Sequence, residues 1–248
     1  MMAELRSQAV VLHVRAIGEA DKLVTFLTRD AGIVTASARG SRKTKSKFAS
    51  LLEPLTVSRV LLHKGKTLYT FIQGELLKSY VSLHGDLERF AYAQYFCELC
   101  ERTLPESMPA ENTFKLLVAA LSALEQDSNL QRVSSCFTVS LLDELGIRPN
   151  LECCSLCGGT QGPFYFDPAA GGLLCAKCPQ PQTSYAVSAA TIATIRHLLK
   201  KGFYKLSVCV IPTNVGREIH RICFDLLSFT LGVSKLKTVD FLQNLGYI

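Results

Sequence analysis

Two Cys-x-x-Cys pairs seventeen residues apart, Cys154-Ser-Leu-Cys157 and Cys175-Ala-Lys-Cys178, constrain this chain more than any other feature. A CxxC turn aims two sulfurs at one centre, and the interval lies in the range of four-thiolate zinc sites. Gly158-Gly159 and Gly171-Gly172 beside the pairs permit the positive-φ knuckles that such ligation uses. Four sulfurs leave no coordination position for water or substrate, so the implied Zn2+ is structural and folds its own segment. Cys153 leaves the register of the first ligand open, because Cys153 and Cys157 also bracket a turn; Cys154 with Cys157 reproduces the spacing of the second pair. Disulfides are the alternative use, but a 248-residue chain with 48% hydrophobic residues can bury a core without them, and metal thiolates suit a reducing cytoplasm. Cys97, Cys100, Cys136, Cys209 and Cys223 fall in apolar or helical settings and read as core.

Helical periodicity surrounds this segment. Asp86 is placed to cap a helix carrying Phe90, Tyr95, Phe96 and Leu99. Phe114, Leu117, Leu121 and Leu124 repeat at helical spacing, as do Phe137, Leu141 and Leu145 before Gly146. Beyond the cysteines, Ser188 is placed to cap a helix with Ile192, Ile195 and Leu199. Asn214 is placed to cap one carrying Ile219, Ile222, Leu226 and Phe229 that ends near Gly232. Before residue 80 the period is different. AVVLHV, LVTFLT, IVTASA, LTVSRVLL and LYTFIQGELL alternate with turn residues such as Asp30-Ala31-Gly32 and Lys64-Gly65-Lys66. Five short strands within about 75 residues suit a small barrel, of the oligonucleotide-binding or the SH3-like kind. The chain is therefore expected to be an α+β multidomain protein. A five-stranded OB-fold β-barrel over 1–80 precedes an α-helical domain over 81–248, with a four-Cys zinc-finger insertion at about 149–183.

Charge separates the same two parts. Residues 1–80 hold 13 Lys/Arg against 6 Asp/Glu, whereas 81–248 hold 14 against 15. A local cationic excess repels itself until a polyanion relieves it, which points to nucleic acid. The excess peaks in Arg39-Gly-Ser-Arg42-Lys43-Thr-Lys45-Ser-Lys47, with no acid until Glu53. The small hydroxyl and glycine residues between the cations leave backbone amides free for phosphate oxygens. A solvated charge run is the plainer reading of such a segment; its place in a barrel of this kind favours phosphate contact. Phe48, Tyr69 and Phe71 are near enough in sequence to stack on bases, but strand parity is not fixed by the sequence and the barrel core is the better reading of each.

Catalytic motifs are wanting. Gly65-Lys66-Thr67 imitates the end of a phosphate-binding loop, but Val60 stands where glycine is required and a strand follows instead of a helix. No GxSxG, HExxH or dinucleotide fingerprint occurs. His197 and His220, beside Arg196 and Arg221, read as helix-surface residues, and Asp143-Glu144 as an exposed helix end. The expectation is a protein that handles nucleic acid without turnover. A zinc-dependent nucleic-acid-modifying enzyme and a protein-interaction scaffold stand as the competing classes. The start of the sequence has His13 and Arg15 where a signal peptide needs apolar residues, and no apolar run is long enough to span a membrane.

The order of parts resembles the bacterial RecO recombination and repair proteins over essentially the whole length. The local matches are Ala38 to Lys43 (ARGSRK), Pro149-x-Leu151-x-x-Cys154-x-x-Cys157-Gly158, and Gly171-Gly172-x-x-Cys175-x-x-Cys178. The resemblance implies a cytoplasmic, nucleoid-associated mediator that binds single- and double-stranded DNA and anneals complementary strands. With RecR it would help load RecA onto DNA coated by single-strand-binding protein. It further implies Arg39, Arg42, Lys43, Lys45 and Lys47 as DNA contacts and Cys154, Cys157, Cys175 and Cys178 as zinc ligands. The acidic tail of the single-strand-binding protein would dock on an apolar, basic groove of the helical domain.

Overall fold

The computed structural model describes residues 4–43, 46, 48–203 and 210–244. The chain divides into two compact units, Met1–Ser128 and Asn129–Ile248.

In the first unit, β1 (Glu4–Ile17), β2 (Asp21–Thr28), β3 (Gly32–Ala38), β4 (Thr56–Lys64) and β5 (Tyr69–Ser79) close a barrel in the order β1-β2-β3-β5-β4. Neighbouring pairs are antiparallel except β3 with β5, which run parallel through Ser37↔Thr70. This is the topology of an oligonucleotide-binding barrel, so the SH3-like alternative falls away. Ala9, Val11, Val24, Phe26, Val34 and Leu62 alternate into the interior. The connection from β3 to β4 closes one end of it with Leu51 and Leu52, set on a short 3-10 turn, Ser50–Leu52. Leu55 ends that connection at φ 64° with its side chain fully buried. Its N–H donates to Val11 O at 3.0 Å, and its carbonyl accepts from Tyr80 N at 3.2 Å.

Val10, Leu27 and Ile33 point to the opposite face from the barrel core yet are 0%, 0% and 5% exposed. Helices α1 (Leu87–Thr103) and α2 (Glu111–Gln126) pack against β1, with α2 also on β2, and cover that outer face. The link between the helices is stitched to the β2–β3 turn. Ser107 N–H donates to Ile33 O at 3.2 Å and Ala110 N–H to Arg29 O at 3.2 Å, and Arg29 pairs with Glu111. Gly32, at φ 60°, lies so close that a Cβ would collide with the Met108 carbonyl oxygen. The change of period at residue 80 therefore marks a change of element type, while the compact units divide between Ser128 and Asn129.

The second unit contains α3 (Leu130–Glu144), a three-stranded sheet, α4 (Ala189–Lys201), α5 (Thr213–Leu231) and α6 (Lys237–Asn244). The sheet strands β6 (Phe164–Asp167), β7 (Gly172–Cys175) and β8 (Tyr185–Ala186) lie in the order β7-β6-β8. Asp86 and Ser188 cap α1 and α4, their side chains accepting from Arg89 N at 3.1 Å and Thr191 N at 3.2 Å. Asn214 does not cap α5. Pro212, extended at φ −62° and ψ 150°, is the N-cap residue, and the helix already runs at Thr213. A proline with fixed φ starts the helix without a side-chain acceptor. Phe229, the last of the apolar residues carried by α5, is 62% exposed, because the buried stripe of that helix ends at Leu226 and Leu227.

Candidate nucleic-acid interface and metal centre

The basic connection leaves β3 at Ala38, whose register partner is Lys22 on β2. Gly40, at φ 64°, turns the chain, and its N–H donates to Asp21 Oδ1 at 2.8 Å. Ser41 is buried with its hydroxyl on Ala38 O at 2.7 Å. The Arg42 N–H donates to Ala20 O at 2.9 Å, and one arm of its guanidinium donates to Gly18 O at 2.7 Å. Arg39, Arg42 and Lys43 are exposed, and none forms an ion pair with a carboxylate among the described residues. Glu53, the first acid after the run, is held by Lys22 at 2.7 Å. Positive charge thus stands uncompensated where the connection begins. Lys45 and Lys47 lie outside the described residues, as does Cys209.

Of the aromatic candidates, Phe71 belongs to the barrel core. It stacks on Phe26 with centroids 6.5 Å apart and meets Phe48 edge-on at 5.3 Å, while Tyr69 packs half-buried on the same cluster. Phe71 is filling, while Phe48 and Tyr69 are each partly exposed at the edge of that cluster. The sequence reading passed over two other cations. Lys64 and Lys66 are exposed at the β4–β5 turn, and β5 leaves that turn to run beside the end of β3. Gly65-Lys66-Thr67 lacks a phosphate-loop glycine, but the β4–β5 loop of oligonucleotide-binding barrels is one of those that contact the ligand.

In the second unit the four cysteines converge. Cys154, Cys157, Cys175 and Cys178 place their sulfurs within 4.8 Å of one another. Cys154 and Cys178 are 3.7 Å apart, Cys157 and Cys175 3.6 Å, and Cys175 and Cys178 3.7 Å. A tetrahedron of sulfurs about 2.3 Å from a zinc ion has edges of about 3.8 Å, so the donor set and its spacing fit a thiolate-bound metal. Cys153 is not in the cluster, which resolves the register in favour of Cys154. Gly158, at φ 73°, donates its N–H to Cys154 O at 2.9 Å, and Cys154 N–H donates to Gly159 O at 2.8 Å, forming the first knuckle. Strand β7 delivers Cys175, whose N–H donates to Cys154 Sγ at 3.3 Å. Burial raises the Cys154 thiol, but the backbone amides of Cys157, Cys175 and Leu156 outweigh it and bring its pKa down to about 6. Cys178 is pushed up to about 12, by hydrogen bonding with Cys157 and then by burial.

Residues 2–80 match the family described as Recombination protein O N terminal, and residues 84–240 the one described as Recombination protein O C terminal. The chain belongs to the RecO family. Among curated relatives, "DNA repair protein RecO" of Symbiobacterium thermophilum is 32% identical over 252 residues, covering 98% of each chain. Those of Anaeromyxobacter sp. strain K and Thermoanaerobacter sp. strain X514 are 32% and 29% identical, covering 99% and 98% of this chain and 98% and 99% of theirs. The family carries a role in DNA repair and recombination, and no helix among the described residues is long and apolar enough to cross a membrane.

This RecO chain also has a groove of about 490 Å³ between α5 and the segment leading into α6. Arg217, Arg221 and Lys235 line it together with Phe224, Leu236 and Val239. The acids Asp225 and Asp240 line it too. Arg221 lies over the Tyr185 ring, 3.7 Å from its centroid, and the exposed Phe229 borders the adjoining hollow. His220, read from the sequence as a surface residue, stacks on Phe224 at 6.4 Å. The residue is half-buried, but its Nε2 is shut off from water, and burial holds its pKa down at about 4.

Proposed function

We propose that this protein is a recombination mediator that binds single- and double-stranded DNA through the basic connection of its barrel and anneals complementary strands. With RecR, it would help RecA load onto DNA coated by single-strand-binding protein. The observation that carries the reading is the exposed cationic start of the connection, Arg39, Arg42 and Lys43, without carboxylate partners among the described residues. Lys45 and Lys47 continue the run in sequence. Annealing brings two polyanions together, and neutralising backbone charge while leaving base edges free lowers their repulsion without fuel. No catalytic group is needed for that step, and we read the protein as a non-enzyme working in the cytoplasm on nucleoid DNA.

The metal we assign to the four sulfurs is a structural Zn2+, held by Cys154, Cys157, Cys175 and Cys178. When bound it supplies a cross-link and no Lewis-acid chemistry, since every ligand position is a sulfur. The groove lined by Arg217, Arg221 and Lys235 supports docking of the acidic, apolar tail of the single-strand-binding protein, cation against carboxylate and ring against ring.

The test replaces Arg42, Lys43, Lys45 and Lys47 together with neutral residues and measures binding across a salt series. If all five cations of the run meet phosphates, log affinity falls against log salt with a slope of about −3.5 on single strands and about −4.5 on duplex. The variant should lose most of that slope and its annealing of precoated strands. A slope equal to that of the wild type would remove the basic connection from the interface.

A further inference from the structure

The five cations of the basic run look equivalent in sequence, but the structure gives one of them a different task. We infer that Arg42 is a positioning residue, whose guanidinium fastens the basic connection to the β1–β2 turn so that its neighbours Arg39 and Lys43 are presented to phosphate. The inference rests on the DNA-binding reading above and assigns the roles within it.

Three bonds cross between the two segments. Gly40 N–H reaches Asp21 Oδ1 at 2.8 Å, Arg42 N–H reaches Ala20 O at 2.9 Å, and Arg42 Nη1 reaches Gly18 O at 2.7 Å. The first two hold one side of the turn. The last strand pair below it is Ile17↔Asp21, so the carbonyls of Gly18 and Ala20 lie beyond the ladder and are free to accept. Only a long side chain spans from residue 42 to the far side of the turn, and a charged donor makes the stronger bond to a carbonyl. The buried hydroxyl of Ser41 on Ala38 O fixes the backbone between Gly40 and Arg42. The other end of the connection is tied to the same strand, through Lys22 and Glu53 at 2.7 Å, and is sunk into the barrel by Leu51 and Leu52. Both ends are thus referenced to β2. Arg39 and Lys43, by contrast, are exposed and make no side-chain hydrogen bond or ion pair among the described residues. Their charge is available, and the ordering that would otherwise oppose binding is already in place.

The experiment uses the full-length protein and compares Arg42→Ala, Arg42→Lys, Arg39→Ala and Lys43→Ala. Amide hydrogen exchange over 18–22 and 39–43 is measured without DNA, and affinity for an oligothymidylate is measured across a salt series. Arg42→Ala should speed exchange at Gly40 and Arg42 and weaken binding about fivefold to tenfold, the scale of one charge-assisted hydrogen bond. Arg42→Lys, which keeps a charged donor, should restore both to within about threefold of wild type. Arg39→Ala and Lys43→Ala should leave exchange as it was and each lower the magnitude of the salt slope by about 0.7. Unchanged exchange in Arg42→Ala overturns the inference and leaves the DNA-binding reading standing. Unchanged affinity and slope in Arg39→Ala and Lys43→Ala overturns that reading whatever the exchange shows, and the inference with it.

Discussion

His220 shows how far a residue's setting can depart from its sequence neighbours. Arg221 beside it in sequence suggests an exposed imidazole, yet the His220 Nε2 is buried and its pKa is pushed down to about 4 by that burial. An unfolded chain takes a proton at this residue near pH 6.5, while the folded one refuses it until about pH 4. Between those values the unfolded state binds more protons, so stability declines as the pH falls and is unaffected above about 7. The loss at the bottom of the window is about 3 kcal/mol. His220→Gln should flatten the fall in urea midpoint between pH 7 and 5 relative to wild type. An equal fall in both proteins would mean that the ring is free to charge. The four clustered cysteines were legible because ligand spacing is a property of the chain itself. The contacts of Arg42 were not, because its acceptor Gly18 is 24 positions away and is brought near only by the closing of the β2–β3 hairpin.

Elements were legible wherever one period held along their length. All five barrel strands announce themselves by alternation and turn residues, but not the face each residue takes. Register shifts at Val11/His13, Val57/Ser58 and Leu61/Leu62 each reset the alternation, which is why Phe71 and Tyr69 could be assigned only once pairing was known. Helix α6 has only 8 residues and gave no signal strong enough to anticipate. The small sheet beside the four cysteines is the extreme case of short elements. Its strands are 4, 4 and 2 residues long, and the buried cluster beside them is Cys154, Leu174 and Cys175. If the four sulfurs hold the structural Zn2+ proposed above, it cross-links this sheet and its binding energy is folding energy there. Removing the metal with a chelator should therefore abolish amide protection over about 150–186 while leaving protection in the barrel strands intact. Cys154→Ser should reproduce this, and Cys153→Ser should keep the metal and the protection. Protection that survives complete metal removal would show a sheet stabilised by packing alone.

At the scale of the whole molecule, composition and compactness draw different lines. Charge and periodicity change near residue 80, and the family matches also separate there, at 2–80 and 84–240. The compact unit nevertheless runs to Ser128, because the barrel has a second apolar face that α1 and α2 cover. Magnitudes decide which boundary matters for folding. Uncovering Val10, Leu27 and Ile33 alone costs about 1.5–3 kcal/mol each, or about 5–9 kcal/mol together, as much as the whole stability of many domains. Loss of the Ser107 and Ala110 backbone bonds to the β2–β3 turn adds to that. A fragment ending at residue 80 should be unfolded or aggregated, whereas one ending at residue 128 should unfold cooperatively. The longer fragment should also keep the salt-dependent affinity for single strands, because every cation of the basic run and both of its anchors on β2 lie within it. Chemical denaturation followed by far-ultraviolet dichroism checks the first expectation, and the salt slope on an oligothymidylate checks the second. A cooperative transition in the 80-residue piece would mean that the outer face of the barrel tolerates water. A folded 128-residue piece without salt-dependent binding would move the polyanion surface into the second unit.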